Sequence, residues 1–120
     1  MVNVLVIIPT YNESENIIAL LSRLDRVRNE LSSRYKIDIL IVDDNSPDKT
    51  VDTARSVNIE NISILSRSMK GGIGPAYLDG FDFGLKNDYQ YFVQMDADLS
   101  HMPEQLEKLL AVASSKSLVI

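Results

Sequence analysis

Asp96-Ala97-Asp98-Leu99-Ser100 places two carboxylates one residue apart, directly after the apolar run Tyr91-Phe92-Val93-Gln94-Met95. The run has the length and composition of a buried strand, so the pair is expected at that strand's carboxyl end. In open α/β sheets, ligands bind at that edge. Neighbouring like charges repel, and a cation or hydrogen bonds must offset the cost. A divalent metal carrying a diphosphate would do so, because Mg²⁺ takes one or two protein carboxylates and completes its octahedron with water and phosphate oxygens. The competing reading is an Asp-rich turn that caps the next helix. Asp-x-Asp alone does not separate the two.

Two further polar clusters follow apolar runs. Pro9-Thr10-Tyr11-Asn12-Glu13 ends the run from Val2, and Asp43-Asp44-Asn45-Ser46-Pro47-Asp48 ends the run Ile37–Val42. A parallel sheet brings all three clusters to one edge, whereas structural turns would spread polar residues over both. A nucleotide needs such groups. Tyr11 can stack on a base or simply cover the sheet edge. Asp44 can accept from a base N–H, and Glu13 from ribose hydroxyls. Asp43 and Asp44 can also cap the following helix, and Glu13 also suits a helix N-terminus. Asp96 and Asp98 can hold the cation of a diphosphate.

Lys70-Gly71-Gly72-Ile73-Gly74 precedes a helical segment. It reads either as a flexible turn or as a cradle whose backbone N–H groups approach a phosphate. It is neither a Walker A motif nor a dinucleotide fingerprint, which should follow the first strand. Arg67 and Lys70 allow an anion contact. His101 is the only histidine; with no nucleophile-elbow motif, it reads as a neighbour of the site or a helix start rather than a catalyst.

The elements that must position these residues alternate. Val2–Pro9 is a β-branched run with the pattern of a strand buried on both faces. Asn12 or Ser14 is expected to cap a helix whose apolar face is Ile17, Leu20, Leu21, Leu24, Val27 and Leu31. Arg23, Arg26 and Arg28 fall largely off that face and read as solvated surface. After the strand Ile37–Val42, Ser46 with Pro47 predicts a helix start, running to about Val57. A strand follows at Ile62–Leu65, and a helix from Pro75 to about Leu85. The strand at Tyr91 comes next, then a helix opened by Ser100 or His101 and carrying Leu106, Leu109, Leu110 and Ala113. Ser117–Ile120 begins a fifth strand. The order βαβαβαβαβ predicts an α/β fold: a Rossmann-like, mostly parallel sheet with helices on both faces.

The 120 residues suit one domain. A net charge of −5 disfavours a general nucleic-acid or anionic-membrane surface. The absence of cysteine excludes a disulfide framework, a zinc–thiolate site and a thiol nucleophile. No apolar run approaches membrane length. The strand-like ending at Ile120 leads us to expect a chain cut from a longer one, truncated at its C-terminal end.

Taken together, Pro9-Thr10-Tyr11-Asn12-Glu13, then Val42-Asp43-Asp44-Asn45-Ser46-Pro47-Asp48-Lys49-Thr50, then Asp96-Ala97-Asp98-Leu99-Ser100-His101-Met102-Pro103 resemble the family 2 glycosyltransferases. The likeness is nearest to the dolichol-phosphate (polyprenol-phosphate) mannose synthases, whose KLGLGTAY-type loop is similar to Lys70–Tyr77 here. The resemblance implies a glycosyltransferase A-type nucleotide-binding half over residues 1–120. It implies that Pro9, Tyr11, Glu13, Val42 and Asp44 surround the nucleoside of GDP-mannose, with Asp96, Ala97 and Asp98 at its diphosphate. Asp96 and Asp98 are then the residues tied to catalysis and to Mg²⁺ or Mn²⁺. Ser100 stands where some members place a metal-ligating glutamine, and a serine hydroxyl is a poorer ligand. Asn45 stands where glycine is frequent, and Asn tolerates the same left-handed turn. The implied reaction moves mannose, with inversion, to a polyprenyl phosphate at the cytoplasmic face of a membrane. That acceptor is largely dianionic at pH 7 and needs no strong base. A family 2 transferase using UDP-glucose, or a non-catalytic sugar-nucleotide-binding module, shares these residues. Ile39–Asn45 also looks like the start of a response-regulator receiver. There, however, an acidic pair follows the first strand, and Asp96 and Asp98 would go unexplained.

Overall fold

A computed structural model describes residues 1–68, 72–100 and 102–112. Lys70, Gly71, His101, Ala113 and the expected fifth strand at Ser117–Ile120 lie outside the described residues. The strands are β1 (Val2–Thr10), β2 (Tyr35–Asp43), β3 (Ile62–Ser66) and β4 (Tyr91–Gln94). The helices are α1 (Ser14–Glu30), α2 (Thr50–Ser56), α3 (Ile73–Leu85) and α4 (Leu106–Val112), the last preceded by a 3₁₀ turn at Pro103–Gln105. The sheet is parallel, in the order β3-β2-β1-β4. The expected α/β architecture is therefore present.

Alternation along the strands builds two cores. Val4, Val6 and Ile8 of β1 face the same side as Ile37, Ile39 and Ile41 of β2 and Val93 of β4, and pack with Ile17, Leu20, Leu21 and Leu24 of α1 and Leu106 and Leu110 of α4. Leu5, Ile7, Leu40 and Val42 point the other way and pack with Ala76 and Tyr77 of α3. Helices thus cover both faces, as continuous apolar strands require. α3 lies unusually close to the sheet. A Cβ placed on Gly80 would stand 2.5 Å from Ile7 Cγ2, and one on Gly84 would stand 2.9 Å from Leu5 Cδ2 and meet the Phe92 ring.

Several expected boundaries move, each for a hydrogen-bonding reason. α2 begins at Thr50 and not at Pro47. The Ser46 hydroxyl is committed to Asp43, to which it donates at 2.6 Å, and Lys49 adopts a left-handed φ of 64°, so helical geometry cannot start before it. α1 is capped by neither Asn12 nor Ser14: its first N–H, from Ser14, donates to Asp48 Oδ2 at 3.0 Å across the loop. α3 starts at Ile73, which places Pro75 inside its first turn, where a missing N–H costs little. The last helical segment opens with the 3₁₀ turn at Pro103, and the Ser100 hydroxyl, instead of capping it, donates to Asp96 Oδ2 at 3.4 Å. The arginines of α1 are not all solvated surface. Arg28 is buried and paired with Asp25 at 2.6 Å, and Arg23 pairs with Glu104. Arg34, beyond the helix, joins Glu107. The Arg23 and Arg34 pairs tie the α1 region to the helical segment Pro103–Val112.

Candidate functional site

β1 carries the site's floor, and Pro9 explains where the site opens. Ile7 O accepts the Met95 N–H at 3.0 Å, so the odd residues of β1 bond toward β4. Thr10 O accepts the Asp44 N–H at 3.1 Å, so the even residues bond toward β2. Pro9 would have to donate toward β4, but it has no N–H. The β1–β4 ladder ends one step before it, with Ile7 opposite Gln94. The two strands part at Pro9, and a crevice begins. β1 is flanked by β2 on one side and β4 on the other, so this is also where the chain's winding reverses, the position that binds ligands in doubly wound sheets.

The loop after β1 is bound to the loop after β2 through two hydroxyls. Asp43, buried at the end of β2, accepts from Thr10 Oγ1 at 2.6 Å, from the Ser46 N–H at 3.0 Å and from Ser46 Oγ at 2.6 Å. Ser46 Oγ in turn accepts the Asn12 N–H at 3.0 Å. Asp48 Oδ1 accepts from the Thr50 N–H at 3.0 Å and Thr50 Oγ1 at 2.5 Å, and Thr50 Oγ1 accepts the Glu13 N–H at 3.0 Å. Asn12 Oδ1 accepts the Asp48 N–H at 3.3 Å. Asn12 and Asn45 both turn in the left-handed region, at φ 55°. Asparagine tolerates that region, which lets each loop double back on the other. Tyr11 and Glu13 are carried on the backbone that this network holds.

Asp44 is 5% exposed and its carboxylate lies 3.1 Å from Arg67 Nε; Arg67 also reaches Asp79 Oδ2 of α3 at 3.4 Å. The Arg67 N–H donates to Asp43 O at 2.7 Å, extending the β2–β3 ladder and fixing the arginine's origin. Arg67 is thus drawn into an ion-pair network behind the cleft. On the other side, Tyr77 Oη donates to Asp96 Oδ1 and Ser100 Oγ to Asp96 Oδ2, each at 3.4 Å. Burial, and then the Asp96 charge, push the Tyr77 phenol far above its ordinary value, so it stays a donor. Leu99 takes φ 66°, a conformation disfavoured for a leucine, in the loop that carries both carboxylates. Its side chain packs against the larger core, which offsets that cost.

These elements enclose a cleft of about 270 Å³ lined by Pro9, Thr10, Tyr11, Glu13, Asp44, Gly72, Ile73, Ala76, Asp96, Ala97 and Asp98. The polar clusters of three separate strands therefore meet in one place. Of the expected site residues, Val42 and Ser100 do not line it. Val42 is fully buried in the smaller core, at the end of β2 just before Asp43 and Asp44. Ser100 stands beside Asp96 through its hydroxyl. Thr10, Gly72, Ile73 and Ala76 also line the cleft, none of them a residue to which sequence assigns an individual role. The glycine-rich stretch was their signal, since Gly72 and Ile73 belong to it and open α3. Arg67, which the sequence offers as an anion contact, is instead engaged with the carboxylates of Asp44 and Asp79, and the support Tyr77 gives Asp96 has no local signal.

Asp96, Asp98 and the Ser100 hydroxyl share one short loop and offer only oxygen donors, the set that suits a hard divalent cation. Among the described residues no group of three His, Cys, Asp or Glu side chains forms a metal cage. Two carboxylates and a hydroxyl are the number and kind of protein donors that a hard divalent cation completing its shell with water and ligand oxygens would use. Among the described residues no helix is long and apolar enough to cross a membrane.

Comparison with known proteins agrees with this architecture. A solved structure described as the crystal structure of a mycobacterial protein superposes with a TM-score of 0.67 at 17% identity, over 92% of this chain and 36% of that one, a likeness of fold. An undecaprenyl-phosphate mannosyltransferase of Micrococcus luteus is 45% identical over 98% of this chain and 46% of its own length. A polyprenol monophosphomannose synthase of Mycolicibacterium smegmatis is 42% identical over 97% and 43%, and a dolichol-phosphate mannosyltransferase of Pyrococcus furiosus 37% identical over 93% and 30%. The chain spans less than half the length of each of these relatives. The family model described as Glycosyl transferase family 2 matches residues 5–120. With its acid-lined crevice at the β1–β4 switch point and this match across nearly its whole length, the chain belongs to glycosyl transferase family 2.

Proposed function

We propose that the cleft is a sugar-nucleotide site and that the full-length protein transfers mannose from GDP-mannose to a polyprenyl (dolichyl) phosphate, with inversion, at the cytoplasmic face of a membrane. The observation that carries this reading is the meeting of Pro9, Tyr11, Glu13, Asp44, Asp96, Ala97 and Asp98 in one cleft. The names of the three relatives, all of them polyprenyl-phosphate mannosyl enzymes, support the choice of sugar and acceptor.

In this reading Tyr11 stacks on the guanine and Asp44 accepts from its N–H groups, held in place by Arg67. Glu13 takes the ribose hydroxyls. Asp96 and Asp98 would hold Mg²⁺ or Mn²⁺, with Ser100 supporting Asp96. The cation, when bound, stabilises charge developing on the departing diphosphate. The N-terminal end of α3, with Gly72 and Ile73 at the cleft, favours an anion on the same side. The acceptor phosphate is already anionic at neutral pH, so the chain need not supply a strong base to activate it. Its task is to orient the donor and to place fixed dipoles and charges where negative charge grows.

Calorimetric titration with GDP-mannose, with and without Mg²⁺ or Mn²⁺, beside UDP-glucose, tests the proposal. Metal-dependent binding that prefers GDP-mannose is expected. Preference for UDP-glucose would keep the nucleotide site and overturn the mannose assignment. Binding of GDP-mannose by the full-length protein with no transfer to polyprenyl phosphate would indicate a non-catalytic module.

A further inference from the structure

Asp48 lies outside the cleft lining, yet it joins the amino ends of two helices. Its Oδ2 accepts the Ser14 N–H that opens α1, and its Oδ1 accepts the Thr50 N–H that opens α2, at 3.0 Å each. Both helix ends expose unpaired N–H groups and positive partial charge, so one carboxylate satisfies both. The same Oδ1 takes the Thr50 hydroxyl proton at 2.5 Å, which turns the Thr50 lone pairs toward the Glu13 N–H at 3.0 Å. The Asp48 N–H donates back to Asn12 Oδ1 at 3.3 Å. Every residue from Asn12 to Ser14 is therefore bonded to Asp48 or to a group that Asp48 orients. Desolvation raises the Asp48 pKa, but the Thr50 and Ser14 hydrogen bonds to its carboxylate together outweigh that and hold it below its ordinary value.

We propose that Asp48 is a positioning residue for the donor: it clamps the loop after β2 onto the loop after β1 and so sets where Tyr11 and Glu13 stand in the cleft. The proposal rests on the sugar-nucleotide reading of that cleft. Asp48 need not touch the ligand. Its removal frees the Ser14 N–H and the Asn12 side chain and leaves the Thr50 hydroxyl unoriented for Glu13, so the Ser46 bond to the Asn12 N–H is left to hold the turn, while the strands beneath stay packed. The expected signature is thus local: weaker donor binding, an unchanged chemical step and loosened amides in one loop.

The test compares the full-length wild type with Asp48→Ala, Asp48→Asn, Thr50→Val and, as a control, Asp52→Ala, an exposed acid in the first turn of α2. Hydrogen exchange resolved by residue and steady-state kinetics with GDP-mannose are both measured. Asp48→Ala should speed exchange at Asn12, Glu13, Ser14 and Thr50 while leaving Val4–Ile8 and Ile39–Val42 protected. It should raise KM for GDP-mannose roughly five- to tenfold, the scale of losing a helix cap, with kcat held. Asp48→Asn keeps one acceptor oxygen and should fall between. Thr50→Val should loosen Glu13 more than Ser14, and Asp52→Ala should change neither readout. Unchanged exchange at Asn12–Ser14, a KM within twofold of wild type, or faster exchange spread evenly over the strands overturns the proposal. A wild type that binds no GDP-mannose refutes the donor reading instead, and the exchange pattern still judges the clamp.

Discussion

Gly80→Ala is the sharpest test of how α3 is held against the site. In an exposed helix the change should stabilise by about 1 kcal/mol, because alanine has the better helix propensity. Here the new methyl would stand 2.5 Å from Ile7 Cγ2, with Ile7 Cδ1 at 3.3 Å and Cγ1 at 3.4 Å. Ile7 is fully buried in the central strand, two residues before Pro9. It is β-branched and has no free rotamer to retreat into. The overlap is nearly an ångström, and overpacking of that kind costs about 1–3 kcal/mol. Since the overlap lies against a strand that cannot yield, the upper half of that range applies. After the propensity gain, a net loss of about 1–2 kcal/mol remains, or a fall in Tm of roughly 4–8 °C for a domain of this size. Urea unfolding of a double-mutant cycle separates the two contributions. In an Ile7→Ala background, itself destabilised by about 2–5 kcal/mol, the obstacle is gone and Gly80→Ala should stabilise by up to about 1 kcal/mol. The coupling between the two sites should therefore be about 2–3 kcal/mol. If Gly80→Ala instead raises stability by about 1 kcal/mol in both backgrounds, α3 does not sit against β1 as closely as the geometry requires, and the placement of Gly72, Ile73 and Ala76 on the cleft goes with it.

Other expectations bear on the site directly. Asp96→Ala and Asp98→Ala should each abolish metal-dependent GDP-mannose binding while the circular dichroism spectrum and Tm stay near wild type; unchanged calorimetric binding in both would remove the metal assignment. Arg67→Met should destabilise by about 3 kcal/mol in urea unfolding, because it removes the guanidinium 3.1 Å from the buried Asp44 carboxylate; a change under about 0.5 kcal/mol would show that the pair is not desolvated. The lowered Asp48 pKa carries a sign. An unfolded Asp titrates near pH 4, so the stability that Asp48 adds is full above that value and is lost as pH falls through the lower folded value. The stability gap between wild type and Asp48→Ala should therefore be flat from about pH 5 upward and close in acid. Burial raises the Tyr77 and Tyr89 phenols, the latter also hydrogen-bonded to Asp38 at 2.7 Å. Folded stability should therefore fall as pH rises above about 10, where unfolded phenols ionise, and Tyr77→Phe and Tyr89→Phe should each lessen that fall.

Much of this protein is legible in local pattern. The β-branched runs Val2–Pro9 and Ile37–Val42 can be buried only on both faces, so the parallel sheet with helices on each side follows from composition and spacing. Because every strand in such a sheet points the same way, the polar residues after β1, β2 and β4 had to share one edge. Pro9, Tyr11, Glu13, Asp44, Asp96, Ala97 and Asp98 are legible on that ground and by family likeness, and they line one cleft. Local pattern could not rank the strands. Only the order β3-β2-β1-β4 sets Asp96 beside Pro9, and only the side to which Pro9 would have donated explains why the crevice opens there. Nor could it assign hydrogen-bond partners across the chain. Ser46 and Pro47 have the form of a helix start, yet the Ser46 hydroxyl finds Asp43 and Asn12, and α1 is capped by an aspartate 34 residues away. Arg28 reads as surface by its place on α1 and is buried by its partner Asp25 and its bond to Ile37 O at 3.4 Å. Periodicity records which face of an element is apolar. Which polar group meets which is decided by the approach of segments distant in sequence, and that approach exists only once the sheet has formed.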